Sequence, residues 1–238
     1  MNDTPHPLLQ AVQDNNHDAV QECLQRGIEA FGLDAAGWVA VNRGNTAILE
    51  SLIRHGLDIH QRDHLGGSLL HRAAANGHSK VVGLLVGCRV NVHQLNDKGE
   101  SSLHYAAAYG HFEVVELLVG YEVNVHQLSN IGVSLLHYAA ENGHFKFVKL
   151  LLVEYRANVD QLSDMKESPL HYAAKKGHFE VVELLLAHGA NVHQLSDIKE
   201  SSLHYAVRNG HVAVAELLLK HGADIDWVQS PLYYALTN

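Results

Sequence analysis

Residues 168–186 read Ser-Pro-Leu-His-Tyr-Ala-Ala-Lys-Lys-Gly-His-Phe-Glu-Val-Val-Glu-Leu-Leu-Leu, and close variants of this stretch recur along the chain. The pair Gly-His marks the recurrence, at Gly77-His78, Gly110-His111, Gly143-His144, Gly177-His178 and Gly210-His211. An earlier histidine keeps the same steps of 33 or 34 residues, at His71, His104, His137, His171 and His204. Self-similarity at this period indicates stacked supersecondary units that share one elongated core.

Each unit contains two helical patterns separated by a short break. After His111, apolar Val114 and Leu118 fall on one helical face and nearby glutamates fall on another. The first helix begins after a serine, whose hydroxyl can accept from the free amides of the opening turn. These serines are Ser68, Ser101, Ser134, Ser168 and Ser201. Small pairs such as Ala173-Ala174 let neighbouring first helices approach closely, so the pattern predicts a curved stack of helix–turn–helix units.

These residues resemble the ankyrin repeat, whose 33-residue unit carries Thr-Pro-Leu-His-x-Ala-Ala, then Gly-His, then Val-Val-x-Leu-Leu-Leu and Gly-Ala. The resemblance is closest over residues 168–192 and covers nearly the whole chain. It implies an all-α fold, a curved α-solenoid of stacked helix-turn-helix units joined by β-hairpin-like turns.

The resemblance also implies a single array over residues 1–238. Its predicted parts are a divergent N-terminal cap unit at 1–29, a degenerate second unit at 30–62, five close repeats at 63–224 and a partial terminal unit at 225–238. In the second unit Trp38 replaces the histidine. In the last, Ser230-Pro231 restarts the motif, and we expect either a longer natural chain or a frayed end.

The amino-acid composition excludes several classes of protein and partner. Of the 238 residues, 47% are hydrophobic and 18% are charged, as in soluble globular proteins. The net charge of −9, from 17 basic and 26 acidic residues, argues against nucleic acid as a partner, because phosphate binding relies on clustered Lys and Arg. No apolar run approaches the roughly 18 residues that cross a bilayer. With only Cys23 and Cys88 present, we expect a protein of the reducing cytoplasm with no membrane partner.

The 20 histidines allow two interpretations. One is a metal array, but neighbouring helices pack about 8 to 10 Å apart, too far for equivalent histidines to share a zinc ion with bonds of about 2.0 to 2.1 Å. The ankyrin resemblance implies instead that the Leu-His imidazoles bond to backbone in the turns and tie adjacent repeats together. A third ladder comprises His60, His93, His126 and His193. We therefore predict no metal and no cofactor, and the absence of a nucleophile–base motif predicts no enzyme.

Residues that recognise a partner are expected at exposed positions where the repeats differ in sequence. Two such sets are the residues just before each Gly-His pair and the residues at the tips of the turns between repeats. The candidate partner-binding residues are Tyr109, Ile131, Val133, Asn142, Met165, Lys175, Lys176, Ile198 and Arg208. Apolar side chains at a turn tip have no obvious core to enter, although packing on neighbouring turns is an equal alternative. A recurrent leucine that opens each turn is predicted to be internal; it occurs at Leu95, Leu128, Leu162 and Leu195.

The predicted function is a non-catalytic protein–protein interaction module, a monomer that binds a partner protein or peptide segment in its concave groove. Lys175, Lys176 and Arg208 form a basic cluster on an acidic molecule, which suits a segment apolar at one end and acidic at the other. The alternative is the recognition part of a larger protein, or of a secreted host-directed effector in the host cytosol, whose catalytic domain lies beyond Asn238.

One local feature varies between repeats. In the family the second helix ends at a left-handed glycine, and Gly56, Gly189 and Gly222 fit that position. Other repeats have Arg89, Glu122 and, after one inserted residue, Arg156 there. Because a side chain disfavours the left-handed conformation, we expect these turns to be less stable.

Overall fold

The structure is a computed structural model that describes residues 6–26 and 30–224. Over these ranges the chain forms fourteen α-helices and no β-strand, with isolated antiparallel bridges between Arg62 and Ser68 and between Leu195 and Ser201. The all-α repeat fold predicted from the sequence is confirmed. The predicted partial terminal unit at 225–238 lies outside the described residues, as do parts of the predicted cap unit, at 1–5 and 27–29.

The chain divides into two compact halves, an N-terminal half at residues 1–124 and a C-terminal half at residues 125–238. The helices of the N-terminal half are α1 (Pro7–Gln13), α2 (His17–Gln25), α3 (Ala30–Arg43), α4 (Thr46–Arg54), α5 (Leu69–Ala75), α6 (Ser79–Gly87), α7 (Ser102–Tyr109) and α8 (Phe112–Gly120). Those of the C-terminal half are α9 (Leu135–Glu141), α10 (Phe145–Val153), α11 (Pro169–Lys176), α12 (Phe179–Ala187), α13 (Ser202–Arg208) and α14 (Val212–Lys220). The organisation of the whole chain as one array stays a prediction.

The first helix of each close repeat begins at a reciprocal cap between a serine and the histidine three residues later. The backbone N–H of Ser68 donates to Nδ1 of His71, and the serines at 101, 134, 168 and 201 make the same bond, at 3.0–3.1 Å. In all five caps the serine side chain also approaches the N–H of that histidine. The two groups therefore satisfy amides that a helix start leaves without intrahelical partners.

The same histidines connect neighbouring repeats. Because Nδ1 accepts a hydrogen bond, the ring proton stands on Nε2, and this atom donates to a carbonyl in the next turn. The bonds run from His71 to Glu100 (3.1 Å), from His137 to Glu167 (3.1 Å) and from His171 to Glu200 (3.3 Å). The structural role that the ankyrin resemblance implied for these imidazoles is confirmed at these positions.

The core lies between the helix pairs. The alanine pairs of the first helices, such as Ala73-Ala74 and Ala173-Ala174, are fully buried. Valine and leucine of the second helices fill the other side, as Val181, Val182 and Leu185 do in α12. Small residues on one side and branched residues on the other allow successive pairs to pack closely.

The predicted left-handed residues are confirmed. Arg89, Glu122 and Arg156 have φ values of 63°, 59° and 49°. The equivalent Gly56 and Gly189 have φ values of 93° and 84°. Three of the second helices therefore end at a non-glycine residue in a conformation that glycine adopts without strain.

Candidate functional site

The turns of the C-terminal half form a ladder that carries three of the candidate residues. The N–H of Asp164 donates to the carbonyl of Ile131 at 3.0 Å, and the N–H of Asp197 donates to the carbonyl of Met165 at 2.9 Å. Ile131, Met165 and Ile198 are 59%, 57% and 60% exposed. Neighbouring tips are thus held together by their backbones while an apolar side chain projects from each one into solvent. We call these three residues the tip row.

Two lysines lie beside the tip row in a strained backbone conformation. Lys166 and Lys199 have φ values of 56° and 62°, whereas Gly132 holds the same place in the preceding turn with φ 71°. Nζ of Lys166 lies 3.3 Å from Oδ1 of Asp197, which joins successive turns by an ion pair as well. Lys166 and Lys199 therefore hold a conformation that glycine adopts without strain.

Val133 is not part of this surface, and its prediction as an exposed partner-binding residue is wrong. The side chain is 3% exposed. Val133 closes its turn against Ser129, since its carbonyl accepts from the Ser129 N–H at 3.0 Å and its N–H donates to Ser129 Oγ at 3.1 Å. The residue therefore follows the tip but points its side chain into the core.

The leucine that opens each turn also departs from the prediction. Leu95, Leu128 and Leu162 are half-buried rather than internal, and Leu195 is 42% exposed. The opening leucines therefore cover the core only in part.

The basic candidates lie at the C-terminal ends of the first helices, where the backbone carbonyls favour cations. Lys176 Nζ lies 3.6 Å from Oε1 of Glu141, and Arg208 pairs with Glu200. Nζ of Lys175 lies 5.7 Å from the centre of the Tyr205 ring. Two of the three predicted cations are therefore partly neutralised by carboxylates that the sequence analysis did not assign to them.

Tyr205 organises this part of the surface. Its side chain is nearly buried, and its hydroxyl donates to Oε1 of Glu167 at 2.5 Å. Burial, followed by this carboxylate, raises the pKa of Tyr205 to about 12, so the hydroxyl remains a donor at neutral pH. Arg208 Cζ lies 4.8 Å from the ring centre, a cation–π distance. The ring thus holds Lys175 and Arg208 at a defined place between two first helices.

The remaining candidates are exposed. Asn142 is exposed at the end of α9, but its Nδ2 donates to the Tyr138 carbonyl at 2.9 Å. Tyr109, in the N-terminal half, is 60% exposed and stacks on His111 with ring centres 6.3 Å apart. Tyr109 therefore offers a large, oriented aromatic face to solvent.

The Gly-His histidines have a second structural role. His178 Nε2 donates to the Glu141 carbonyl at 2.8 Å, and His211 Nε2 donates to the Lys175 carbonyl at 3.1 Å. In the N-terminal half His78 and His111 make the equivalent bonds to Asn42 and Ala75. Each of these bonds ties the start of a second helix to the end of the first helix in the preceding repeat.

The sequence analysis missed a row of exposed apolar residues that directly follow these histidines. Its members are Phe112 (38% exposed), Phe145 (41%), Phe179 (37%) and Val212 (64%). The signal was available, because they keep the same 33- or 34-residue step as the Gly-His pairs. The sequence analysis assigned no role to these positions.

Two kinds of site are absent from residues 6–26 and 30–224. No group of three His, Cys, Asp or Glu side chains in these ranges is placed to hold a metal ion. No helix there combines the length and apolar character that a membrane crossing needs. Cys23 and Cys88 are half-buried free thiols.

Comparison with known families agrees with the geometry. The family model described as ankyrin repeats (3 copies) matches residues 38–128, 70–163 and 136–229, which together run through most of the sequence. No curated protein matches the chain. Repeats of this family are generally protein–protein interaction modules and are typically non-catalytic.

Proposed function

Because the chain belongs to the ankyrin repeat family, we propose that it binds a partner protein, without catalysing a reaction, along its turn tips and first helices, which we expect to line a groove. The proposed binding residues are Tyr109, Ile131, Asn142, Met165, Lys175, Lys176, Ile198 and Arg208, without Val133. Tyr109 belongs to the N-terminal half and is proposed as a separate anchor.

The tip row is the observation that carries the proposal. Ile131, Met165 and Ile198 each expose more than half of their surface on consecutive turns. The carbonyls of Ile131 and Met165 accept hydrogen bonds from the following turn, so the backbone of the row is preorganised for binding. Contiguous exposed apolar side chains rimmed by charges are typical of interaction sites. A purely structural scaffold does not need apolar side chains at its turn tips, which can be polar.

Photo-cross-linking tests the proposal and identifies the partner in the same experiment. Benzoylphenylalanine placed at Met165 is expected to cross-link a discrete protein in a lysate of the native cells, which mass spectrometry then identifies. The matched control carries the same group at Glu183, an exposed residue of α12 outside the proposed surface. With the identified partner, Met165→Ser together with Ile198→Ser should weaken binding by about 2 kcal/mol. Identical products from positions 165 and 183, or none from 165, would show that the tip row is not a binding surface.

A further inference from the structure

The exposed apolar residues after the Gly-His pairs adjoin the basic cluster in the C-terminal half. We define the rim strip as Lys175, Lys176 and Arg208 together with Phe145, Phe179 and Val212. Lys175 and Lys176 end α11, three or four residues before Phe179, and Arg208 ends α13, four residues before Val212. Phe145 begins α10, after Glu141 at the end of α9. The rim strip therefore combines charge and exposed apolar surface at one end of successive helix pairs.

The rim strip is held rigid by the histidines that precede its apolar members. His178, adjacent to Phe179, bonds to the Glu141 carbonyl of the preceding repeat, and its ring packs against Gly143. A Cβ at Gly143 would stand 2.6 Å from Nδ1 of that ring. His211, adjacent to Val212, bonds to the Lys175 carbonyl in the same way. Phe179 and Val212 are thus each fixed beside the first-helix end of the preceding repeat, which limits the entropy lost when a ligand binds.

The uncompensated charge of the rim strip is positive. Lys176 and Arg208 have carboxylate partners in Glu141 and Glu200, and in both pairs the cation is exposed while the glutamate is partly buried. Among residues 6–26 and 30–224, no carboxylate lies within 4.0 Å of the Lys175 ammonium group. An incoming carboxylate can therefore pair with Lys175 directly and can share Lys176 and Arg208.

The charge of the surrounding half distinguishes a peptide from a membrane. Residues 125–224 carry 9 Lys and Arg against 11 Asp and Glu. Acidic residues thus outnumber basic ones in this range, and the attraction of a flat anionic bilayer to a few cations decays within a Debye length of about 8 to 10 Å. A narrow peptide contacts only the rim strip. Charge complementarity thus favours an acidic protein segment.

We infer that the rim strip binds an acidic, amphipathic segment of a partner protein, with apolar side chains on Phe145, Phe179 and Val212 and carboxylates on Lys175, Lys176 and Arg208. This inference rests on the proposed function, since it assumes a protein-binding module. It adds a surface distinct from the tip row and states the chemistry of its ligand.

A random twelve-residue peptide display library panned against the full chain provides the test. The enriched peptides are expected to combine an excess of Asp and Glu with Leu, Ile, Phe or Trp. The consensus peptide, labelled with fluorescein, is then titrated by anisotropy. Binding should fall about tenfold or more with Phe179→Ser and with Lys175→Gln plus Lys176→Gln. The matched controls Ile198→Ser, in the tip row, and Lys149→Gln, on α10, should bind as the parent chain does. Circular dichroism and thermal unfolding establish that each variant is folded.

Several results would overturn the inference. The inference fails if the library yields no enriched peptide, or if the enriched peptides have no excess of Asp and Glu. It also fails if Ile198→Ser weakens binding of the peptide and Phe179→Ser does not. If the acidic peptides fail to bind, two further results would assign the rim strip to another occupant. One is binding to phosphatidylserine vesicles and the other is self-association in sedimentation, in each case abolished by Phe179→Ser. A cross-link at Met165 in any of these cases would leave the proposed function standing, so the two failures are distinguishable.

Discussion

Gly177 illustrates at the residue scale why the Gly-His pair recurs. Its φ of 77° is left-handed, and a Cβ built on it would clash with Nδ1 of His211. That imidazole donates to the Lys175 carbonyl at 3.1 Å, so it cannot retreat without losing the bond. Glycine is therefore required for two reasons, backbone conformation and the close approach of the ring from the next repeat.

Gly177→Ala separates these two reasons when it is compared with Gly210→Ala. Gly210 has a similar φ of 76°, but no described atom lies within 4 Å of a Cβ built there. We expect Gly177→Ala to lower the free energy of unfolding by about 1 to 3 kcal/mol more than Gly210→Ala, because only the first overpacks a ring. Urea denaturation measures both.

The double-mutant cycle with His211→Ala is the control for the Gly177 prediction. Without the ring, Gly177→Ala should retain only the conformational cost of about 1 to 2 kcal/mol. An equal effect of Gly177→Ala in both backgrounds would contradict the steric explanation.

At the scale of the element, the ends of the second helices differ in strain. α6 and α8 lead into Arg89 and Glu122, which adopt left-handed conformations, whereas α12 leads into Gly189. A Cβ in this conformation costs about 1 to 2 kcal/mol. The helices themselves have similar lengths and buried faces, so the difference is confined to the turns.

Arg89→Gly and Glu122→Gly should each raise the free energy of unfolding by about 1 kcal/mol, because glycine removes the left-handed strain but adds entropy to the unfolded chain. In the parent protein, amides near 89, 122 and 156 should exchange hydrogen faster than those near 189 and 222. Gly189→Arg, the reverse change, should destabilise its turn. Hydrogen exchange measured by mass spectrometry would contradict the prediction if protection were uniform along these turns.

At the scale of the whole molecule, buried histidines couple stability to pH. Burial is the main cause that lowers the pKa of His71, His137, His171 and His204, and it brings that of His137 to about 4. An unfolded histidine has a pKa near 6.5. Between about pH 6.5 and pH 4 the unfolded chain therefore binds more protons than the folded one, and acid favours unfolding.

Stability should be complete above about pH 6.5 and should fall as the pH drops below it. Each histidine that remains neutral in the fold contributes a loss of up to about 1.4 kcal/mol for each pH unit. Between pH 7.5 and pH 5.5, where most carboxylates remain ionised in both states, histidines dominate this change. A urea midpoint that is the same at pH 7.5 and pH 5.5 would contradict the prediction, and His137→Gln should reduce the slope.

The amino-acid sequence was sufficient to predict the period, the helix pairs and the serines that cap the first helices. These features depend on groups within a few positions of one another, as when Ser168 and His171 cap the same turn. The left-handed conformation of Arg89 was expected from the resemblance to the ankyrin repeat, because the residue occupies the place of the family's glycine. Local hydrogen bonding and backbone sterics are encoded in short stretches, so reading such a stretch is enough to predict them.

Exposure and charge pairing, in contrast, depend on the tertiary structure. Val133 follows a turn tip as Glu167 does, yet the valine is buried at 3% and the glutamate binds the Tyr205 hydroxyl. Phe179 begins a helical pattern typical of a core but is 37% exposed. The bond between Glu167 and Tyr205 joins residues 38 positions apart in the sequence. Packing between distant residues decides exposure and charge pairing, so the sequence of a single repeat is not enough to predict them.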